Sequence, residues 1–212
     1  MYKRQVWDFN ENSVTGFACV GYTQNDSFDS FAALIHHEAG GHGFGLLDEE
    51  YIMKEGVACP PGEMESDKYM YEKYNFHPNV DYTSDPKQIR WAHFINDPRY
   101  KDEEIGVFEG AYYQYDVYRA TEYSVMREFI AVFPEPSLPK IDQFSAPSRE
   151  AIYKRVMKLA YGDSWKYDYE EFVKFDAQGH ADFVAAKNKA QTRGASNLSL
   201  IHISEPTRLQ LI

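Results

Sequence analysis

The chain reads as an α/β protein of the α+β kind. Three features predict it: a short β-branched and aromatic run, an apolar helix ending in a glycine-broken histidine cluster, and a later helix opened by a serine and a proline. With 212 residues, 43% of them hydrophobic and 16% aromatic, there is enough material to bury a core and too much aromatic content for a disordered segment. No apolar run approaches the roughly 18 residues of a membrane span. The net charge of −11, without a basic stripe, argues against a nucleic-acid partner. The two cysteines, Cys19 and Cys59, leave the redox compartment open: one disulfide or two buried thiols would both suit them.

In chain order, Val14 to Tyr22 reads as a strand with glycines at its bends. Asn25-Asp26-Ser27 follows as a turn and helix cap. Phe28, Phe31, Ala32, Leu34 and Ile35 then suit a buried helix running into His36-His37-Glu38. Gly40, Gly41, Gly43 and Gly45 weaken that helix and end it. Residues 52–84 read mostly as loop, with Cys59-Pro60-Pro61-Gly62 as a breaker. Asp85-Pro86 predicts a helix through Ile89, Trp91 and Phe94. Residues 105–127 are irregular and aromatic, and Pro134, Pro136 and Pro139 mark a loop. Ser145 to Glu150 opens a helix with Ile152, Val156, Leu159 and Ala160 on one side, and a short helix is expected near Tyr169–Phe175. Residues 181–197 read as a tail or the start of a following segment.

The two ends read as something other than protein design. Met1-Tyr2-Lys3-Arg4-Gln5 is what GTG TAT AAG AGA CAG encodes, with GTG as start codon, and the reverse complement of that DNA encodes Leu198-Ser199-Leu200-Ile201-His202. The continuation Ile203 to Arg208 resembles the rest of a transposon-type sequencing adapter. Residues 1–5 and 198–212 are therefore expected to be adapter-derived, and 6–180 to be a partial domain whose missing upstream part holds further strands and any signal peptide.

The chemistry lies in His37-Glu38-Ala39-Gly40-Gly41-His42-Gly43-Phe44-Gly45, followed by Asp48-Glu49-Glu50-Tyr51. A hydrolytic zinc site needs imidazoles converging on one metal, an open position for water, and a carboxylate to take the proton of that water. The usual helical solution spaces the histidines four apart. Here they are five apart. On a regular helix that is a sweep of about 500°, which leaves the rings about 140° apart. A π-bulge would absorb the extra residue, and Gly40 and Gly41 lie where such a distortion has least steric cost. Gly45 is the expected left-handed residue that turns the chain back to offer a third ligand, either Asp48 or Glu49.

This segment resembles the zinc metallopeptidases named for IgA peptidase, metzincin-like zincins of gut bacteria. The match runs from His37 to Gly45 and then through Leu47, Glu50 and Tyr51. Further likeness comes from Val117 to Thr121, from Ser124-Val125-Met126-Arg127, which is similar to a Met-turn, and from Phe144 to Tyr153. The resemblance implies a truncated zincin-like catalytic domain with an active-site helix, an edge strand at 14–22 that pairs with an extended polypeptide substrate, and Met126 beneath the metal. It implies Zn2+ on His37, His42 and one of Asp48 or Glu49, with Glu38 as general base. The implied activity is that of a zinc-dependent endopeptidase, secreted or at the cell surface. Tyr118 is a candidate substrate or oxyanion donor.

Two other classes fit the same residues: an inactive zincin-like domain that binds protein or glycan, and a metal-dependent hydrolase of non-peptide amides. His36 reads as a neighbouring non-ligand, since it points elsewhere on the helix, while His77, His93 and His180 lack ligand spacing and read as surface or core groups. Arg119 and Arg127 read as structural ion-pair partners, and Tyr51 as packing.

Overall fold

A computed structural model describes residues 5–10, 13–18, 28–127 and 143–179. The expected turn at Asn25-Asp26-Ser27, the proline loop at 134–139, His180, the tail at 181–197 and the C-terminal adapter residues fall outside them. Mixed helix and strand is what the chain forms, in two units, 1–166 and 167–212.

In the first unit, β1 (Gln5–Asn10) and β2 (Ser13–Ala18) form an antiparallel hairpin with Val6 opposite Phe17. β2 covers the first part of the expected strand, and its backbone lies alongside the histidine segment. The run that holds β1 is an element the sequence pattern does not announce. α1 (Phe28–Ile35) follows, with Ala33 and Leu34 buried and Ile35 facing outward rather than inward.

From His36 the helix does not carry a single bulge. It widens into a continuous π-helix, His36–Gly45. Its left-handed terminal residue is Leu46, at φ 56°, not Gly45. Gly45 is required for a different reason: a Cβ there would lie 3.0 Å from Ile152 and 3.1 Å from the Gly40 carbonyl. A left-handed Leu is strained by about 1–2 kcal/mol, and burial of its side chain against Phe76 offsets that.

β3 (Lys54–Ala58) pairs in parallel with β6 (Tyr113–Tyr115), and β4 (Val80–Asp81), β7 (Tyr118–Arg119) and β5 (Phe108–Glu109) form an antiparallel sheet in the order β4-β7-β5. Between β3 and β4 the expected loop is in fact α2 (Pro61–Tyr74). The Pro-Pro pair starts this helix instead of breaking it: Pro60 is extended at the cap, and Pro61 takes the first turn, where its missing N–H costs nothing. α2 buries no residue fully, so it shows no apolar stripe for pattern reading to detect.

The helix expected from Asp85 to Phe94 is instead a chain of turns. The Asp81 carboxylate accepts the Arg90 N–H at 2.9 Å, a bond a helical ladder would need. Ile89, Trp91 and Phe94 are nevertheless buried, with the Trp91 indole donating to the Gly106 carbonyl at 2.7 Å. α3 (Ala146–Tyr161) forms as expected, but its buried face is Ala146 to Tyr153, while Leu159 is 68% exposed. Arg149 fixes its start by an ion pair to Glu103 at 2.6 Å.

In the second unit a helix covers residues 169–179, capped by the Asp168 carboxylate, which accepts the Glu171 N–H at 2.9 Å. Among the described residues no helix is long and apolar enough to cross a membrane.

The burial pattern of α3 and the turn segment separates two substitutions. Phe94→Ala should cost about 3–5 kcal/mol, whereas Leu159→Ser should stay within about 0.5 kcal/mol. Urea unfolding of the two variants checks both values.

Candidate metal centre

The π-helix resolves the angular problem of the five-residue spacing. A turn closed by i→i+5 bonds stacks residue i+5 over residue i, so His37 and His42 share a face. Their Nε2 atoms are 3.1 Å apart, and both rings are buried. The Glu49 carboxylate closes the triangle, with one oxygen 3.0 Å from His37 Nε2 and the other 3.2 Å from His42 Nε2. These are the residues that converge; Asp48 is not among them.

Each imidazole is held from behind. His37 Nδ1 donates to the Val125 carbonyl at 2.8 Å, and His42 Nδ1 donates to the Leu47 carbonyl at 2.7 Å. A carbonyl only accepts, so each Nδ1 carries a proton, and in the neutral ring Nε2 presents a lone pair. Three acceptors then face one point. Such an arrangement is repulsive unless a proton or a cation is shared among them. Burial opposes protonation of His42, but the adjacent Glu49 carboxylate outweighs it and raises the ring's pKa. Burial would likewise push Glu49 upward, yet the two imidazoles hold its carboxyl well below the usual range.

The donor set fits zinc. Tetrahedral zinc with bonds of 2.0–2.1 Å places its ligand atoms about 3.3 Å apart; here the two Nε2 atoms are 3.1 Å apart, and one Glu49 oxygen stands 3.0 Å from His37 Nε2 and the other 3.2 Å from His42 Nε2. Two imidazoles and one carboxylate are also a familiar catalytic set, leaving a position open.

Glu49 rather than Asp48 faces the two rings, and a residue that sequence reading missed helps to hold it so. Asn79 Oδ1 accepts the Asp48 N–H at 2.8 Å, while its amide donates to the Asp48 carbonyl at 3.0 Å and to Glu50 at 2.9 Å. Ser124 donates to the other Glu50 oxygen at 2.5 Å. The loop is thereby clamped on both sides of Glu49. Asp48 turns instead toward His77, at 3.7 Å. Tyr51, expected to be packing, donates its phenol to Glu49 at 2.8 Å. Burial first, and then Glu49, push the ionisation of that phenol upward. Nothing in the spacing of Asn79 marks it; the Tyr51 position within the motif was the available signal.

Met126 lies fully buried beneath the π-helix, in a cluster with Leu47, Val125 and Ala151. A Cβ on Gly41 would be 2.3 Å from its sulfur. The turn that carries Met126 thus supports His37 through the Val125 carbonyl and packs directly against the helix between the two histidines. Glu38 is buried beside His37.

Of the other expected groups, Tyr118 is on β7, opposite Asp81 and Glu109. Arg119 is structural, donating to the carbonyls of Glu109 and Gly110. His36 is exposed, His77 pairs with Asp67 at 2.6 Å, and His93 with Glu150 at 2.9 Å. Cys59 is a free, buried thiol, and Cys19 lies outside the described residues.

No protein-family model matches the chain, and no curated protein matches it either.

The Gly41–Met126 contact gives a direct check on this construction. Gly41→Ala should destabilise the protein by about 1–3 kcal/mol through overpacking. Pairing it with Met126→Ala should make the two effects less than additive, which a double-mutant cycle of unfolding free energies measures.

Proposed function

We propose that the chain is part of a zinc-dependent endopeptidase related to the IgA-peptidase-type zincins, acting on polypeptides outside the cell or at its surface. The observation that carries the reading is the buried triangle of two imidazole lone pairs and one carboxylate, with separations of 3.0–3.2 Å. Sequence resemblance supplies the family and the location.

In this reading His37, His42 and Glu49 hold the metal, and Asp48 does not. Bound there, zinc supplies Lewis acidity that polarises a carbonyl and acidifies water. The protein's own groups do the rest. The Val125 and Leu47 carbonyls keep both rings in the tautomer that offers Nε2. Tyr51 holds the Glu49 carboxylate in place. Glu38, next to the first ligand in the same π-turn, takes the proton of the attacking water and returns it to the leaving amine. β2, alongside the π-helix, is the strand on which an extended substrate would lie.

The test combines metal binding with hydrolysis of a peptide library. Glu38→Gln should retain zinc and lose about 10²–10⁴ in kcat. Glu49→Gln should lose zinc affinity by far more than Asp48→Asn does. Zinc bound without any Glu38-dependent cleavage would reject the peptidase and favour a binding-only domain.

A pH dependence follows from the raised His42 pKa. Below that pKa the ring carries a proton that metal must displace, while Glu49 remains ionised throughout. Zinc affinity should therefore fall as pH drops through the His42 titration, by about tenfold per unit for one displaced proton. Calorimetry in buffers of different ionisation enthalpy should detect proton release on zinc uptake; a pH-independent affinity contradicts it.

A further inference from the structure

Next to the triangle is a cleft of about 570 Å³ between α2, the loop at Asp48 and the segment around β6. That volume falls in the range of roughly 300–1,000 Å³ typical of ligand pockets. The wall is acidic: Asp48, Glu63 and Asp67 line it, against Lys54 and the His77 ring. Phe76 and Val117 add apolar surface.

The acids are not all consumed by internal pairing. Asp67 is nine-tenths buried, its side chain 10% exposed, and its Oδ1 binds His77 at 2.6 Å. Its Oδ2, shielded from solvent, forms an ion pair with Arg90 at 3.6 Å. Among the described residues the Glu63 carboxylate accepts the Tyr113 phenol, at 2.6 Å, and it remains exposed. The Cys59 thiol, also in the wall, registers the field. Burial pushes it up to about 11, with the Glu63, Asp67 and Asp48 carboxylates adding to the effect.

The chemistry that fits is a cation on an apolar stem. An anion would meet three carboxylates. A bare metal ion would need ligand atoms gathered at one point, and among the described residues only His37, His42 and Glu49 gather so. A lysine or arginine side chain satisfies both surfaces, with its methylenes on the apolar part and its charged head among the acids.

We propose that this cleft is the recognition subsite for a lysine or arginine side chain of the polypeptide substrate. The inference rests on the peptidase reading. It is tied to the reaction centre by the chain itself, since Asp48 lines the cleft and the next residue reaches both imidazoles.

The experiment uses the full chain loaded with zinc and carrying Glu38→Gln, so that peptides bind without being cut. Fluorescence anisotropy compares peptides holding arginine at each position in turn with the same peptides holding citrulline, its neutral near-isostere. Arginine at one position should bind at least about tenfold tighter than citrulline. Ser66→Lys, at an exposed site on α2 that lines the cleft, should erase that preference by placing an ammonium there, and Glu63→Gln should weaken it. Equal binding of arginine and citrulline at every position, or a preference untouched by Ser66→Lys, overturns the subsite. Parallel cleavage by the wild-type chain separates the two readings. An arginine preference with no Glu38-dependent cleavage supports the cleft and sinks the peptidase. Glu38-dependent cleavage indifferent to arginine does the reverse.

Discussion

Three hydrogen-bond acceptors aimed at one buried point are the constraint on which this structure turns. His37 and His42 each donate their Nδ1 proton backward to a main-chain carbonyl, so their Nε2 atoms and the Glu49 carboxylate, which also accepts the Tyr51 phenol, face a common point. As bare acceptors they repel; a shared proton or cation turns the contact attractive. Much of the surrounding architecture serves to force them together: the widened helix, the turn at Val125 and Met126, and the Asn79 and Ser124 clamp around Glu50. The same geometry is what a shared proton, or a cation in its place, would bind.

The stored geometry has identifiable supports. The π-helix has wider turns than an α-helix and so needs its inner side filled; Met126 does this from below, which is why Gly41 has no room for a side chain. The left-handed conformation at Leu46 is kept by burying its side chain with Phe76, and the Leu46 carbonyl accepts the His77 N–H at 2.8 Å. One short segment thus links the end of the π-helix to the wall of the adjoining cleft. The acidic cleft and the His37–His42–Glu49 triangle share a single loop, Asp48–Glu49, whose two carboxylates point to different places.

Local information was enough for part of this. The five-residue spacing with Gly40 and Gly41 between required a departure from the α-helix, and the departure is there, though as a run of ten residues and not one bulge. The Pro147 near the start of α3 marked that helix. What escaped the sequence depended on distant partners. The different orientations of Asp48 and Glu49 depend on Asn79, 31 residues from Asp48. Gly45 suggested the left-handed position, but crowding by Ile152 assigns it another role. The Asp85 to Phe94 helix loses to the Asp81 carboxylate, which captures a backbone N–H the ladder needed. α2 went unread because a helix without a buried stripe leaves no period in its sequence.

The most direct measurement is X-ray absorption at the zinc edge of the zinc-loaded protein. The account predicts a first shell of nitrogen and oxygen at about 2.0–2.1 Å, with the multiple-scattering signature of two imidazoles that falls to one in either His37→Ala or His42→Ala. A shell lacking imidazole scattering, or one unchanged by both substitutions, would contradict it.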